Sequence, residues 1–380
     1  MAETAYVHEQ RVTPLELFFD LVFVFAMTRV TALMAHDLSW ASMGQGLLVL
    51  AALWWGWAAY GWLTNHVSGD DDRARVVVIV AMAAMVLVAL AVPEAFDAHA
   101  LLFALAYLVM RVAHLALWWV ASSDDPDVHV AVGRLVPTAV TGPLLIVAAS
   151  LFDGGLQAAF WIVALALDYG GPYVRGVAGY RVHPAHFAER FSLIIIIALG
   201  ESIVAIGVGA GSEELDTAIS FAAVLGLLTS AALWWAYFDV VAALGQQRLG
   251  ELSGEVRNRL ARDAFAYLHL ALITGIELFA LGVEQVVAHT DEPLKTEAAT
   301  ALFGGVALYL LAHVAFKLRL AAGFGPHRLV AALLCIVCVP LGTEWTALVS
   351  LAVVTGISVG LITYEVVRFR EARARVRMAA

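Results

Sequence analysis

The sequence predicts an all-α polytopic membrane protein of about twelve transmembrane helices, arranged as two parallel six-helix repeats. Three observations predict it. Of 380 residues, 62% are hydrophobic and 14% are Asp, Glu, Lys or Arg, against roughly 45–50% and about 25% in soluble domains. Twelve stretches of the chain reach the length of about 20 apolar residues that a membrane-spanning helix needs. The two halves can also be overlaid, with short motifs recurring in the same order.

Windows of apolar residues bounded by Gly, Pro, Asp and charge clusters place the first six helices near 15–36, 43–64, 76–96, 99–120, 132–152 and 156–173. The second six fall near 187–209, 217–240, 261–285, 298–316, 327–342 and 345–367. Residues 1–175 then form the first repeat, 176–367 the second, and 368–380 a basic tail. Glu16-Leu-Phe-Phe-Asp20 overlays Glu189-Arg-Phe-Ser-Leu193 at an offset of 173 residues, and Leu53-Trp54-Trp55 overlays Leu233-Trp234-Trp235. Ala113-His114 matches Ala312-His313, and Arg134-Leu135-Val136 matches Arg328-Leu329-Val330. Six helices per unit give both units the same orientation, so the repeats are parallel and related by an axis along the membrane normal.

Orientation follows from the basic residues, which concentrate in cytoplasmic loops. Of 22 Lys and Arg, Lys295 alone falls on one side, Arg29 and Arg111 lie within helices, and the remaining 19, Arg11 among them, fall on the other. Both termini are therefore expected in the cytoplasm and the chain in a bacterial cytoplasmic (inner) membrane. The first fifteen residues lack a signal peptide's basic region, apolar core and cleavage site, so the first apolar segment is expected to remain. A formal charge of -10, without a basic module interleaved with aromatics, argues against nucleic acid. Cys335 and Cys338 lie in one apolar segment and read as small core residues. No P-loop, nucleotide fingerprint or H-E-x-x-H helix occurs, so no cofactor is expected and ATP-driven pumping is disfavoured. Membrane lipids and a small ion or small molecule are the expected partners, and a homo-oligomer is compatible with the sequence. The tail from Arg368 to Arg377 suits anionic lipid, at about 1 kcal/mol per basic residue near the surface, and serves equally as a topology signal.

Two long segments resemble a known family. Val12-Thr13-Pro14-Leu15-Glu16-Leu17-Phe18-Phe19-Asp20-Leu21-Val22-Phe23-Val24-Phe25-Ala26, and His186-Phe187-Ala188-Glu189-Arg190-Phe191 followed by Leu199-Gly200-Glu201-Ser202, look like the bacterial low temperature requirement protein A family. The resemblance spans nearly the whole chain. It implies an inner-membrane protein linked to growth in the cold and implies no particular substrate or reaction.

An ionisable side chain at the bilayer centre costs at least about 2.5–3.5 kcal/mol, so such residues face the bundle interior or a wet cavity and find partners. The candidate binding or proton-relay residues are Asp20, Arg29, Arg111, His114, Glu201, Glu277 and His313. Glu16, Asp20 and Thr31 share a face of helix 1; a structural partner for a basic group is the plain alternative for Asp20. Arg29 and Arg111 cannot shed their protons, so each needs a carboxylate or a snorkelling route. Arg111 shares a helix face with Tyr107 and His114. Glu201 lies about fourteen residues into its helix, roughly 21 Å, with Gly200 and Gly207 expected to permit close helix approach. Asp263, Tyr267, Leu270, Thr274, Glu277 and Glu284 form a stripe on helix 9, whereas the matching part of helix 3, Ala81 to Ala91, is wholly apolar. His114 and His313 are equivalent in the repeat, yet neither has a second His or Cys at ligand spacing, so buried hydrogen-bonding imidazoles are expected rather than a haem or metal. His183-Pro-Ala-His186 is a two-histidine turn, too few ligands to mark a metal by itself. The Trp pairs at 54–55, 118–119 and 234–235 are expected in an interfacial belt.

These observations favour a secondary transporter or ion-conducting protein with a proton-linked midplane site. The alternative is a membrane-embedded enzyme or lipid-handling protein acting at the cytoplasmic leaflet, where Glu16, Asp20, His183, His186, Glu189 and Arg190 gather.

Overall fold

Helix starts follow local chemistry. In the computed structural model, which describes residues 12–66, 71–211 and 215–379, Thr13 and Glu16 form a reciprocal capping box at the head of α1 (Pro14–Asp37), with Pro14 in the first turn. Ser39 and Ser42 do the same for α2 (Trp40–Leu63). Asp71 caps α3, whose last turn tightens into a 3₁₀ helix, so that the whole runs Asp72–Glu94. Then come α4 (Ala100–Ala121), α5 (Pro126–Ala149), α6 (Gly154–Val174) and α7 (Pro184–Ala210). Next is α8 (Thr217–Glu251), interrupted at Asp239 and Val240. After it come α9 (Gly254–Ala288), α10 (Thr296–Arg319), α11 (Pro326–Leu341), α12 (Ala347–Arg368) and the tail helix α13 (Arg370–Ala379). Arg11, counted in the charge bias, lies outside the described residues.

The predicted all-α polytopic class holds: among the described residues, ten helices are long and apolar enough to cross a membrane. Each of the predicted segments overlaps a helix. The two outside the ten are α6, diluted by Gln157 and Asp168, and α11, which has 16 residues.

Helix neighbours recur between the halves. In the first, α1 packs on α3, α3 on α4, α4 on α5, α5 on α6, and α6 returns to α2. In the second, α7 packs on α9, α9 on α10, α10 on α11, α11 on α12, and α12 returns to α8. The halves meet where α1 packs against α7 and α9, and α2 against α7. Two π-helical turns, Ala261–Tyr267 in α9 and Thr300–Gly304 in α10, interrupt the second half. Each widens the turn and rotates the face beyond it. Within the first of these, Asp263 faces Arg319 of α10 at 2.9 Å, whereas Glu277, beyond it, faces α1. The predicted stripe on helix 9 is therefore split between two neighbours.

Candidate functional site

The seam between α1 and α7 carries two polar clusters at different depths. The first lies near the end of the bundle where the basic residues gather. Arg190 on α7 reaches Glu16 at 2.6 Å and Asp20 at 3.1 Å, and His186, one turn earlier on α7, lies 3.2 Å from Glu16. The indole of Trp57 on α2 donates to Asp20 Oδ1 at 2.7 Å. Asn65 Nδ2 lies 3.2 Å from His186 Nδ1, and its Oδ1 accepts from the backbone N–H of His183 at 2.8 Å. Glu16, Asp20, His186 and Arg190 are all buried, so both acids share one guanidinium, with an imidazole beside Glu16, in one buried cluster. Asp20 thus has a structural partner, and His183 and His186 hold the loop ahead of α7.

The second cluster lies deeper. Glu201 on α7 stands nine residues before the helix end at Ala210, about 14 Å from that end at 1.5 Å per residue. Its Oε2 accepts from Thr28 Oγ1 of α1 at 2.6 Å. One turn further along α1, Thr31 Oγ1 donates to Glu277 Oε2 of α9 at 2.9 Å. Glu277 is fully buried, and its Oε1 has no hydrogen-bond partner. Glu201 interacts electrostatically with both Glu277 and the half-buried Glu284 of α9. None of these three carboxyl groups makes an ion pair among the described residues. Ser202, next to Glu201, shares a hydrogen bond of 2.7 Å with Ser230 of α8.

Close approach in this region does not come from Gly200 and Gly207, where an added Cβ would meet nothing within 4 Å. It comes from Gly209, where a Cβ would stand 2.5 Å from the backbone oxygen of Glu284. The glycine is what lets α7 lie directly on α9.

The remaining candidates lie elsewhere. Arg111 on α4 pairs with Asp168 of α6 at 3.2 Å, both nearly fully buried. Gly142 on α5 makes room for that carboxyl, since a Cβ there would lie 2.9 Å from Asp168 Cγ. Tyr107 donates to Ala52 O at 3.1 Å, and His114 Nε2 lies 3.1 Å from Ala59 O, so this face of α4 is committed to α2. His313 on α10 bonds Tyr309 O through Nδ1 at 2.9 Å and packs against Tyr237; His114 packs against Tyr60 and Trp118 in the other half. Arg29 is half-buried, its Nε lacks a hydrogen-bond partner, and it makes no ion pair among the described residues. His269 of α9 is buried, with Nε2 2.8 Å from Tyr237 Oη.

The tryptophans divide in a way the belt expectation did not anticipate. Trp119, Trp234 and Trp235 are exposed as a belt requires, but Trp54 and Trp57 are fully buried and Trp118 is buried. Trp54 donates to Ala266 O at 2.7 Å. Trp55 and Trp118 line a cavity of about 70 Å³ beside Arg111. Sequence gives the depth of a Trp along the bilayer normal, and packing decides whether it faces lipid.

Sequence reasoning missed Thr28, Asp168 and Trp57 as partners. Asp168 had the clearest available signal, an acid within the apolar run Ile162 to Leu167 and beyond, which needs a cation as much as Arg111 needs an anion.

Comparison with known proteins agrees with the motifs on this seam. The family model for bacterial low temperature requirement A protein (LtrA) matches residues 11–363. An uncharacterized protein of Rhizobium meliloti (strain 1021) is 31% identical over 307 residues, covering 78% of this chain and 74% of the relative. With a match that takes in the α1–α7 seam and nearly the whole chain, the protein belongs to the bacterial low temperature requirement A protein family.

Proposed function

We propose that this protein is a secondary transporter or ion-conducting protein of the bacterial cytoplasmic membrane, both termini cytoplasmic, with a proton-linked site at Glu201 and Glu277. One observation carries the reading: two interacting carboxyl groups lie deep in the bundle, bonded to Thr28 and Thr31, with no ion pair among the described residues. Charge balance at such a site must come from protons or from a bound cation. The threonine hydroxyls supply donors that a carboxyl oxygen can keep or exchange as its charge changes.

A two-repeat architecture supports the same reading, because transporter sites form where repeats meet. The recurrence of helix neighbours between the halves supports repeated units in this reading. Thr28 and Glu201, which touch, are 173 residues apart, the offset at which Glu16 overlays Glu189. Chemistry at the cytoplasmic leaflet loses support because Glu16, Asp20, His186 and Arg190 are bonded to one another.

The test is proton and cation flux in proteoliposomes, followed with a pH-sensitive dye under an imposed potential, for the native protein and Glu201→Gln. Loss of flux in a folded variant is expected. Absence of flux from the native protein across several ions and pH values would refute transport as the function.

A further inference from the structure

A large opening in the second half lies outside the α1–α7 seam. It is a groove of about 1130 Å³ bounded by the Val241–Glu251 part of α8, the end of α10, α11, α12 and the tail helix α13. Its two ends differ in chemistry. One is an apolar trough walled by Val330, Leu334, Gly356, Ile357, Gly360 and Leu361. An added Cβ at Gly356 or Gly360 would meet nothing within 4 Å, so this stretch of α12 is open along its length.

The other end is a cationic mouth, where Lys317, His327, Arg328 and Arg373 face two carboxylates, Asp239 and Glu365. Arg373 is bonded to Asp239. Glu365 accepts from Arg328 Nε at 2.7 Å and Nη2 at 2.9 Å, and His327 Nε2 lies 2.7 Å from it. Two cationic donors are left over. Arg328 is only 5% exposed, yet its Nη1 has no hydrogen-bond partner. Lys317 is half-buried and makes no ion pair among the described residues.

We propose that this groove binds one anionic glycerophospholipid, its phosphate against Lys317 and Arg328 Nη1 and an acyl chain along the Gly356–Gly360 trough. Basic pockets between helices on one side of a membrane are suited to acidic headgroups. An Arg with an unpaired N–H and a neighbouring ammonium supply charge-assisted bonds to phosphate oxygens. The trough selects a lipid over a free phosphate, which would occupy the mouth alone. A groove larger than the roughly 300–1,000 Å³ of small-molecule pockets suits an elongated ligand. The site stands apart from Glu201 and Glu277, so its occupancy can be tested independently of transport.

Native mass spectrometry of the full-length protein with phosphatidylglycerol or phosphatidylcholine provides the test. The native protein is expected to retain one phosphatidylglycerol in preference to phosphatidylcholine. Lys317→Gln should weaken that retention about fivefold, the effect of one basic contact near the surface. Gly360→Leu, which fills the trough and leaves every charge in place, should weaken it at least as much. Water-soluble glycerol phosphate should compete poorly. Equal retention of the two lipids, retention untouched by both variants, or full displacement by glycerol phosphate would each overturn the proposal. A thermal transition unchanged from the native protein confirms that each variant is folded.

Discussion

Near one end of the α1–α7 seam, Glu16 and Asp20 meet Arg190 and His186; deeper along it, Glu201 and, across α1, Glu277 meet threonine hydroxyls. Both clusters bury carboxyl groups against α1, and the difference is the presence of a cation. A buried acid with a cation is a fixed joint, because removing the cation strands its charge. A buried acid bonded to hydroxyls can change its charge while its neighbours stay in place. The first arrangement ties the two halves together, and the second is the one suited to handling a proton. The comparison teaches that the count of buried carboxylates is less informative than how each is neutralised.

The largest effect expected from this contrast is on stability at the paired cluster. Arg190→Gln should cost about 3–5 kcal/mol, since Glu16 and Asp20 lose their shared cation; chemical denaturation in detergent measures it. A cost as small as that of Glu277→Gln would erase the distinction between the clusters. Trp57→Phe removes a donor from the Asp20 carboxylate while keeping an aromatic ring, and should cost about 1.5–3 kcal/mol in the same assay. Gly142→Ala sharpens the comparison with the other buried pair. Its new Cβ would displace Asp168 from Arg111 and should cost about 1–3 kcal/mol, and an unchanged denaturation midpoint would show that the pair tolerates separation.

The smallest effect concerns pH at the loop ahead of α7. Burial holds the His66 imidazole below its ordinary range, and its Nε2 accepts from the backbone N–H of Arg181 at 3.2 Å. The unfolded chain therefore binds a proton first as pH falls. The stabilisation is complete above the ordinary imidazole value and is lost as pH drops from there toward the lowered one. Melting temperature measured from about pH 8 to about pH 5 should fall more for the native protein than for His66→Gln. Parallel curves would remove His66 from this role.

Much of the fold was legible because apolar length and the asymmetry of basic residues are properties of single segments. Glu16, Asp20 and Thr31 could be placed on one face of α1 from spacing alone, and the polar character of Glu201 and Glu277 was equally plain. Their partners were not, because Thr28 to Glu201 and Asp20 to Arg190 join residues 173 and 170 positions apart, and spacing within one helix says nothing about which helix lies opposite. The π-helical turn at Ala261–Tyr267 was hidden for a related reason: its sequence fits an α-helix, and the tertiary packing imposes the extra residue. Trp54 and Trp118 looked interfacial because their depth is readable and their facing is not.

Proton handling at the deeper cluster is tested most directly by Glu277→Gln, assayed for stability in detergent and for proton flux in proteoliposomes. Gln keeps an acceptor for Thr31 and removes the ionisable group. A stability within about 1 kcal/mol of the native protein and a loss of flux of about a hundredfold are expected. Native flux in a Glu277→Gln protein, or unfolding of the kind expected for Arg190→Gln, would contradict proton handling there.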